Sequence, residues 1–107
     1  MQDKITRILK AIADPTRREI FHVLVVATTA LPITQISNQF DISKQGVTKH
    51  IKTLEEAGLV QISSKGRERY CHADAQPLKE IDNWLKFYEK FWGDALGNLK
   101  AYLDNMT

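Results

Sequence analysis

Between Lys44 and Lys52 the chain carries two kinds of side chain suited to different chemistry. Gln45 and Thr48 offer an amide and a hydroxyl, groups able to exchange hydrogen bonds with the edges of nucleic-acid bases. Lys44, Lys49 and Lys52 offer ammonium charge, which attracts phosphate whatever the base sequence. Ser43, just before them, and His50, among them, add two further polar groups. His50 sits at the edge of an apolar stripe, so a partly buried, hydrogen-bonded histidine and a phosphate contact are both open to it. A second basic cluster, Lys65, Arg67 and Arg69, surrounds Gly66. From Ser43 to Arg69 there are six bases against three acids, whereas from Pro77 onward four Lys face five acids. The net charge of +2 is therefore unevenly placed, with its positive excess in the middle of the chain.

Other chemistries find little support. No Gly-rich phosphate loop, HExxH, Cys/His pair or Ser/His/Asp arrangement is present, so an enzyme is not expected. His22 lies in an apolar run and reads as a core residue rather than a base. The single Cys71 excludes an internal disulfide and a Cys-rich zinc module, and fits a reducing cytoplasm. Cys71 and His72 are strand neighbours that point to opposite faces, a poor start for chelation. No metal and no cofactor is expected. No apolar run approaches the ~18 residues of a membrane span, and "MQDKITRILK" is too polar for a secretion signal.

At 107 residues, with 43% hydrophobic and 26% charged residues, the chain should form one soluble domain over residues 1–107. Ile5, Ile8, Leu9 and Ile12 mark a first amphipathic helix that stops near "ADP". Asp14 can cap the next helix and Pro15 suits its first position. That helix, in "DPTRREIFHVLVVAT", is apolar on most sides and is expected at the centre of the core. "LPITQISNQF" reads as a short third helix with Ile33, Ile36 and Phe40 inward, and Thr34 and Gln35 join the exposed polar set. Ser43 is the predicted N-cap of a fourth helix reaching Ala57, which Gly58 would end in a positive-φ conformation. "LVQISS" and "RERYCHA" then form a β-hairpin through Lys65-Gly66, and Pro77 opens a long last helix running to about Met106.

Helix, helix, helix, helix, hairpin, helix is the order of a winged helix-turn-helix, mainly α with a small β-hairpin. On an isolated helix the Lys44–Lys52 face would be an ordinary solvated surface. In this context it lies opposite Val47, Ile51 and Leu54, where a recognition helix meets the major groove. Lys65, Arg67 and Arg69 then belong to the wing, with Arg67 and Arg69 sharing a strand face. Arg17 and Arg18 are expected to brace the domain or touch a backbone phosphate rather than read sequence.

"ADPTRREIFHVL", "ISKQGVTKHIKTLEEAGLV" and "KGRERYCHADAQPLKEIDNWLKFYEKFW" together resemble the ArsR-type winged-helix transcriptional regulators. The likeness runs from about Ile5 to Tyr102 with the three motifs in the family's order. It implies a homodimeric repressor of inverted-repeat sites, from the branch lacking the metal-binding cysteines. Family members often carry Gln-Pro where this chain has Lys44-Gln45, and a small residue such as Ser at Thr48, so an operator cannot be borrowed. Gly93 and Gly97 stand where good helix formers are usual.

The last helix carries an unbroken stripe of Leu78, Ile81, Leu85, Tyr88, Trp92, Ala95, Leu99, Tyr102 and Met106. Trp84, Phe87, Phe91, Leu96 and Leu103 widen it. Part must pack on the first helix, and the surplus implies a dimer interface with Ile5, Ile8, Ile12, Leu85, Tyr88, Phe91, Trp92 and Leu99 as its members. Double-stranded DNA and a second copy are thus the expected partners. Two other readings share the fold: a winged-helix module that binds protein instead of DNA, and a metal-responsive repressor, which the missing ligands disfavour.

Overall fold

The computed structural model describes residues 3–106, without the side chains of residues 93–100, so the expectations at Ala95, Leu96 and Leu99 lie outside the described residues. Five helices and three strands follow in order: α1 (Lys4–Ala13), α2 (Pro15–Ala27), β1 (Leu31–Pro32), α3 (Ile33–Ser37), α4 (Lys44–Glu56), β2 (Val60–Lys65), β3 (Glu68–Ala73) and α5 (Leu78–Asn105).

The α1–α2 junction is built from opposed caps. Asp14 caps α2 by accepting from the Arg17 N–H, with Pro15 at the first helical position. The four carbonyls that α1 leaves unpaired at its C-terminus are those of Lys10, Ala11, Ile12 and Ala13. All four accept from two guanidiniums. Arg17 donates to Ala11 and Lys10, and Arg18 donates to Ile12 and Ala13. These arginines brace the domain, and their charge also suits the negative end of α1.

β1 was not expected. Leu31 and Pro32 pair with Cys71 and Tyr70, giving an antiparallel three-stranded sheet in the order β1-β3-β2. The third helix is therefore only Ile33–Ser37, shorter than "LPITQISNQF" suggested. Pro32 has no N–H to give a ladder, which an edge strand tolerates. Its extended backbone then turns directly into α3.

Ile8, Ile20, Leu24, Ile36, Val47, Ile51, Leu54, Leu59, Val60 and Cys71 are fully buried and form one core. Each large aliphatic among them contributes about 1.5–3 kcal/mol by burial. α2 packs against α1, α4 and β3 as expected, but fewer of its sides are covered than its composition suggests. Only Ile20 and Leu24 are fully buried, while Val25 and Val26 are exposed. His22 is exposed too, which corrects its reading as a core residue. A helix apolar on most sides has no periodicity to say which side its neighbours cover.

α2 ends at Thr28, which holds a left-handed conformation at φ 59°. A β-branched residue is strained there, whereas glycine is not. Thr28→Gly should raise stability by about 0.5–1 kcal/mol, what remains of ~1–2 kcal/mol of left-handed strain after the unfolded-state entropy of glycine is subtracted. A urea midpoint at or below that of the wild type would refute this account of the cap.

α5 is 28 residues long, about 42 Å, and extends beyond the core. The Cα radius of gyration is 18.8 Å, against about 13 Å for a compact chain of this size. Among the described residues no helix is long and apolar enough to cross a membrane.

Candidate nucleic-acid interface

α4 is fixed at both ends by its own sequence. Ser43 caps it, its hydroxyl oxygen accepting from the Gly46 N–H at 3.0 Å. At the other end Gly58 takes φ +80°, the Leu59 N–H donates to the Leu54 carbonyl, and the Gly58 N–H donates to the Glu55 carbonyl. That pair of bonds is the Schellman motif, closed by contact between the two buried leucines. Val47, Ile51 and Leu54 hold the inner face at zero exposure.

The outer face follows from this anchoring. Lys44, Gln45, Lys49 and Lys52 are exposed and Thr48 is half-buried. The Thr48 hydroxyl donates to the Lys44 carbonyl at 2.9 Å, which leaves it available as an acceptor. Gln45 has the freer hydrogen-bonding group. His50 is half-buried on the flank of α4 nearest the α1–α2 junction. The Asp14 carboxyl is held below its ordinary value, first by the Arg17 N–H and further by the charges of His50 and Arg17.

The wing is a hairpin whose register pairs Lys65 with Glu68 around the two-residue loop Gly66-Arg67. Gly66 has φ +65° and Arg67 does not share the positive sign, the pattern of a type II′ turn. Arg67 belongs to the turn, so the expected alternation with Arg69 along one strand does not apply. They meet by another route. A groove of about 260 Å³ between α3, α4 and the wing is lined by Ile33, Thr34, Lys44, Thr48, Arg67, Glu68 and Arg69. Five residues expected to face DNA therefore share one recess, and Gln35, Lys49, Lys52 and Lys65, outside its lining, are exposed. Glu68 was not among the expected residues. Its place between Arg67 and Arg69 in the sequence was the available signal.

On α5, Trp84, Tyr88, Phe87, Phe91 and Trp92 are exposed, the last three at 57%, 52% and 50%. Edge-to-face contacts link Trp84 to Tyr88 and Phe87 to Tyr88, at 5.7 and 5.0 Å between ring centres. Lys90 Nζ lies 5.1 Å from the Phe87 ring centre and 5.2 Å from that of Phe91. Ile5, Ile12 and Leu85 are half-buried. Ile8 must be removed from the expected interface, because it is wholly enclosed in the core and has no surface left to share.

Cys71 is fully buried, and burial pushes its thiol up to about 11. A protonated, enclosed thiol is a poor nucleophile and a poor metal ligand. His72 next to it is exposed on the other face of the strand.

A helix-turn-helix of which the second helix presents amide and ammonium groups, followed at once by a basic hairpin, defines a winged-helix DNA-binding transcriptional regulator. Comparison with known proteins agrees. A family profile described as a helix-turn-helix domain matches residues 12–62. The transcriptional repressor SdpR of Bacillus subtilis (strain 168) is 30% identical over 81 residues, 76% of this chain and 88% of that protein. The crystal structure of the ArsR family transcriptional regulator RHA00566 superposes with a TM-score of 0.76 at 27% identity, covering 85% of this chain and 98% of that one. An ArsR-like transcriptional regulator from Rhodococcus sp. RHA1 gives 0.71 at 25% identity over 91% and 90% of the two chains. The chain belongs to the ArsR-type family of winged-helix transcriptional regulators, which is not a family of enzymes.

Proposed function

We propose that this regulator is a homodimeric repressor that binds an inverted-repeat operator. The observation that carries the reading is the convergence of Thr34, Lys44, Thr48, Arg67 and Arg69 on one groove beside the exposed face of α4. Gln45 and Thr48 read base edges. Lys44, Lys49, Lys52 and the wing bases Lys65, Arg67 and Arg69 supply phosphate attraction. Ser43, Thr34, Gln35 and His50 complete the contact surface, Ser43 chiefly by holding the end of α4 in place. Two such helices must sit about 34–36 Å apart to meet successive half-sites, and one chain has one. The exposed aromatic ladder of α5, flanked by Ile5, Ile12 and Leu85, provides the two-fold interface that sets this spacing. The protein works in the cytoplasm and takes no metal, the donors at Cys71 and His72 being enclosed or turned apart.

Duplexes enriched from a random pool define the preferred site and permit the test. Gln45→Ala should weaken that site by about 1–3 kcal/mol and random duplex far less. Lys49→Ala should weaken both alike and flatten the dependence on salt. Equal losses on both duplexes for Gln45→Ala would show that no base is read there.

A further inference from the structure

The DNA-facing groove contains one carboxylate among its bases. Glu68 opens β3 directly after the turn, and it lines the recess with Thr34, Lys44, Thr48, Arg67 and Arg69. It is exposed, and among the described residues no lysine or arginine lies within 4 Å of its oxygens, the ion pairs being Lys4–Glu80 and Lys86–Asp82. Its nearest polar partner is the Thr34 hydroxyl, 3.4 Å away, a distance at the weak end of hydrogen bonding. A carboxylate with no ion-pair partner at contact distance thus stands on the surface that must approach a polyanion.

We propose that Glu68 is a selectivity residue, one that disfavours arbitrary duplex and is compensated where a base presents an exocyclic amino group. The proposal rests on the DNA-binding reading above. Non-specific complexes are held by phosphate attraction, so a carboxylate in the groove acts against nearly all of what holds them. Base edges differ. The amino groups of cytosine and adenine are donors in the major groove, and a carboxylate accepts from them. Position matters as much as charge. Thr34 at the start of α3, Lys44 at the start of α4 and the wing hairpin all border Glu68, so its oxygens face the place where helix and wing approach one stretch of duplex.

Glu68→Gln keeps the side chain's size and an acceptor for Thr34 while removing the charge. Binding to a random-sequence 30-base-pair duplex at low salt should tighten roughly ten- to twenty-fivefold, the three- to fivefold effect of one unit charge across a few ångströms of water acting once in each subunit of the dimer. The log–log salt slope on that duplex should steepen by about two, one for each subunit. Binding to the duplex enriched by the wild type should stay level or weaken, so the ratio between the two falls. Asp82→Asn makes the same change in net charge on α5 and should leave the ratio alone. Equal tightening on both duplexes, no change on either, or the same effect from Asp82→Asn would each overturn the selectivity role while leaving DNA binding intact. A wild type that binds neither duplex would overturn both readings.

Discussion

Trp92→Asp should convert the protein to a monomer at micromolar concentration and lower its affinity for a full inverted-repeat duplex by on the order of 100-fold or more. Joining two half-site contacts in one rigid body multiplies affinity by about 10²–10⁴, and that factor disappears with the dimer. Trp92 is half exposed in the single chain, so the change costs the subunit little of its own core. Leu85→Asp should act in the same direction, but Leu85 is half-buried and its loss would mix subunit stability with association. Because a two-fold interface meets itself, each dimer would lose two indole rings and gain two carboxylates. Sedimentation velocity paired with circular dichroism separates the outcomes. A folded Trp92→Asp protein that remains dimeric would move the interface away from the α5 ladder, and a wild-type monomer bound alone to a full operator would end the dimeric scheme.

Arg17→Ala should destabilise the fold by about 1.5–3 kcal/mol, the range for hydrogen bonds to a charged group. For a domain of this length that is a fall in melting temperature of roughly 10 °C. Its guanidinium holds the Ala11 carbonyl at a partly buried site, where water replaces it poorly, and the exposed Lys10 carbonyl beside it. Arg18→Ala should cost less, since its bonds to Ile12 and Ala13 are exposed. Lysine at position 17 should not restore stability, because one ammonium lacks the planar fork that spans two carbonyls. Binding by the folded fraction should be unchanged. If Arg17→Ala instead spared the melting temperature and weakened DNA binding, the arginine would be a phosphate contact.

What the sequence made legible was what depends on near neighbours along the chain. The Ser43 cap, the Gly58 terminus and the Val47–Ile51–Leu54 stripe are each set within one or two turns of helix. β1 was hidden because two residues have no pattern of their own and pair only when β3 arrives about forty residues later. Ile8 illustrates a different difficulty. It shares a helix stripe with Ile5 and Ile12, and which of the three the core encloses depends on how α2 and α4 pack against α1. The recess was legible as a list of bases but not as a place. Lys44 and Thr34 are distant in sequence from Arg67 and Arg69, and Glu68 gained meaning only when the turn set it beside Thr34.

Cys71 sits in the middle strand of the sheet, between Leu31 on one edge and Ile62 on the other. It is the chain's single thiol. Raised to about 11 and sealed in the core, it should react with an alkylating reagent only when the packing around it opens. The protein therefore carries its own opening clock: the labelling rate of one sulfur counts excursions from the closed state without any added probe. Since Leu31 leads directly into the helix-turn-helix and Tyr70 and Arg69 lead back to the wing, the same clock should time loosening beside both. Slower labelling with duplex bound would measure how firmly DNA clamps them together.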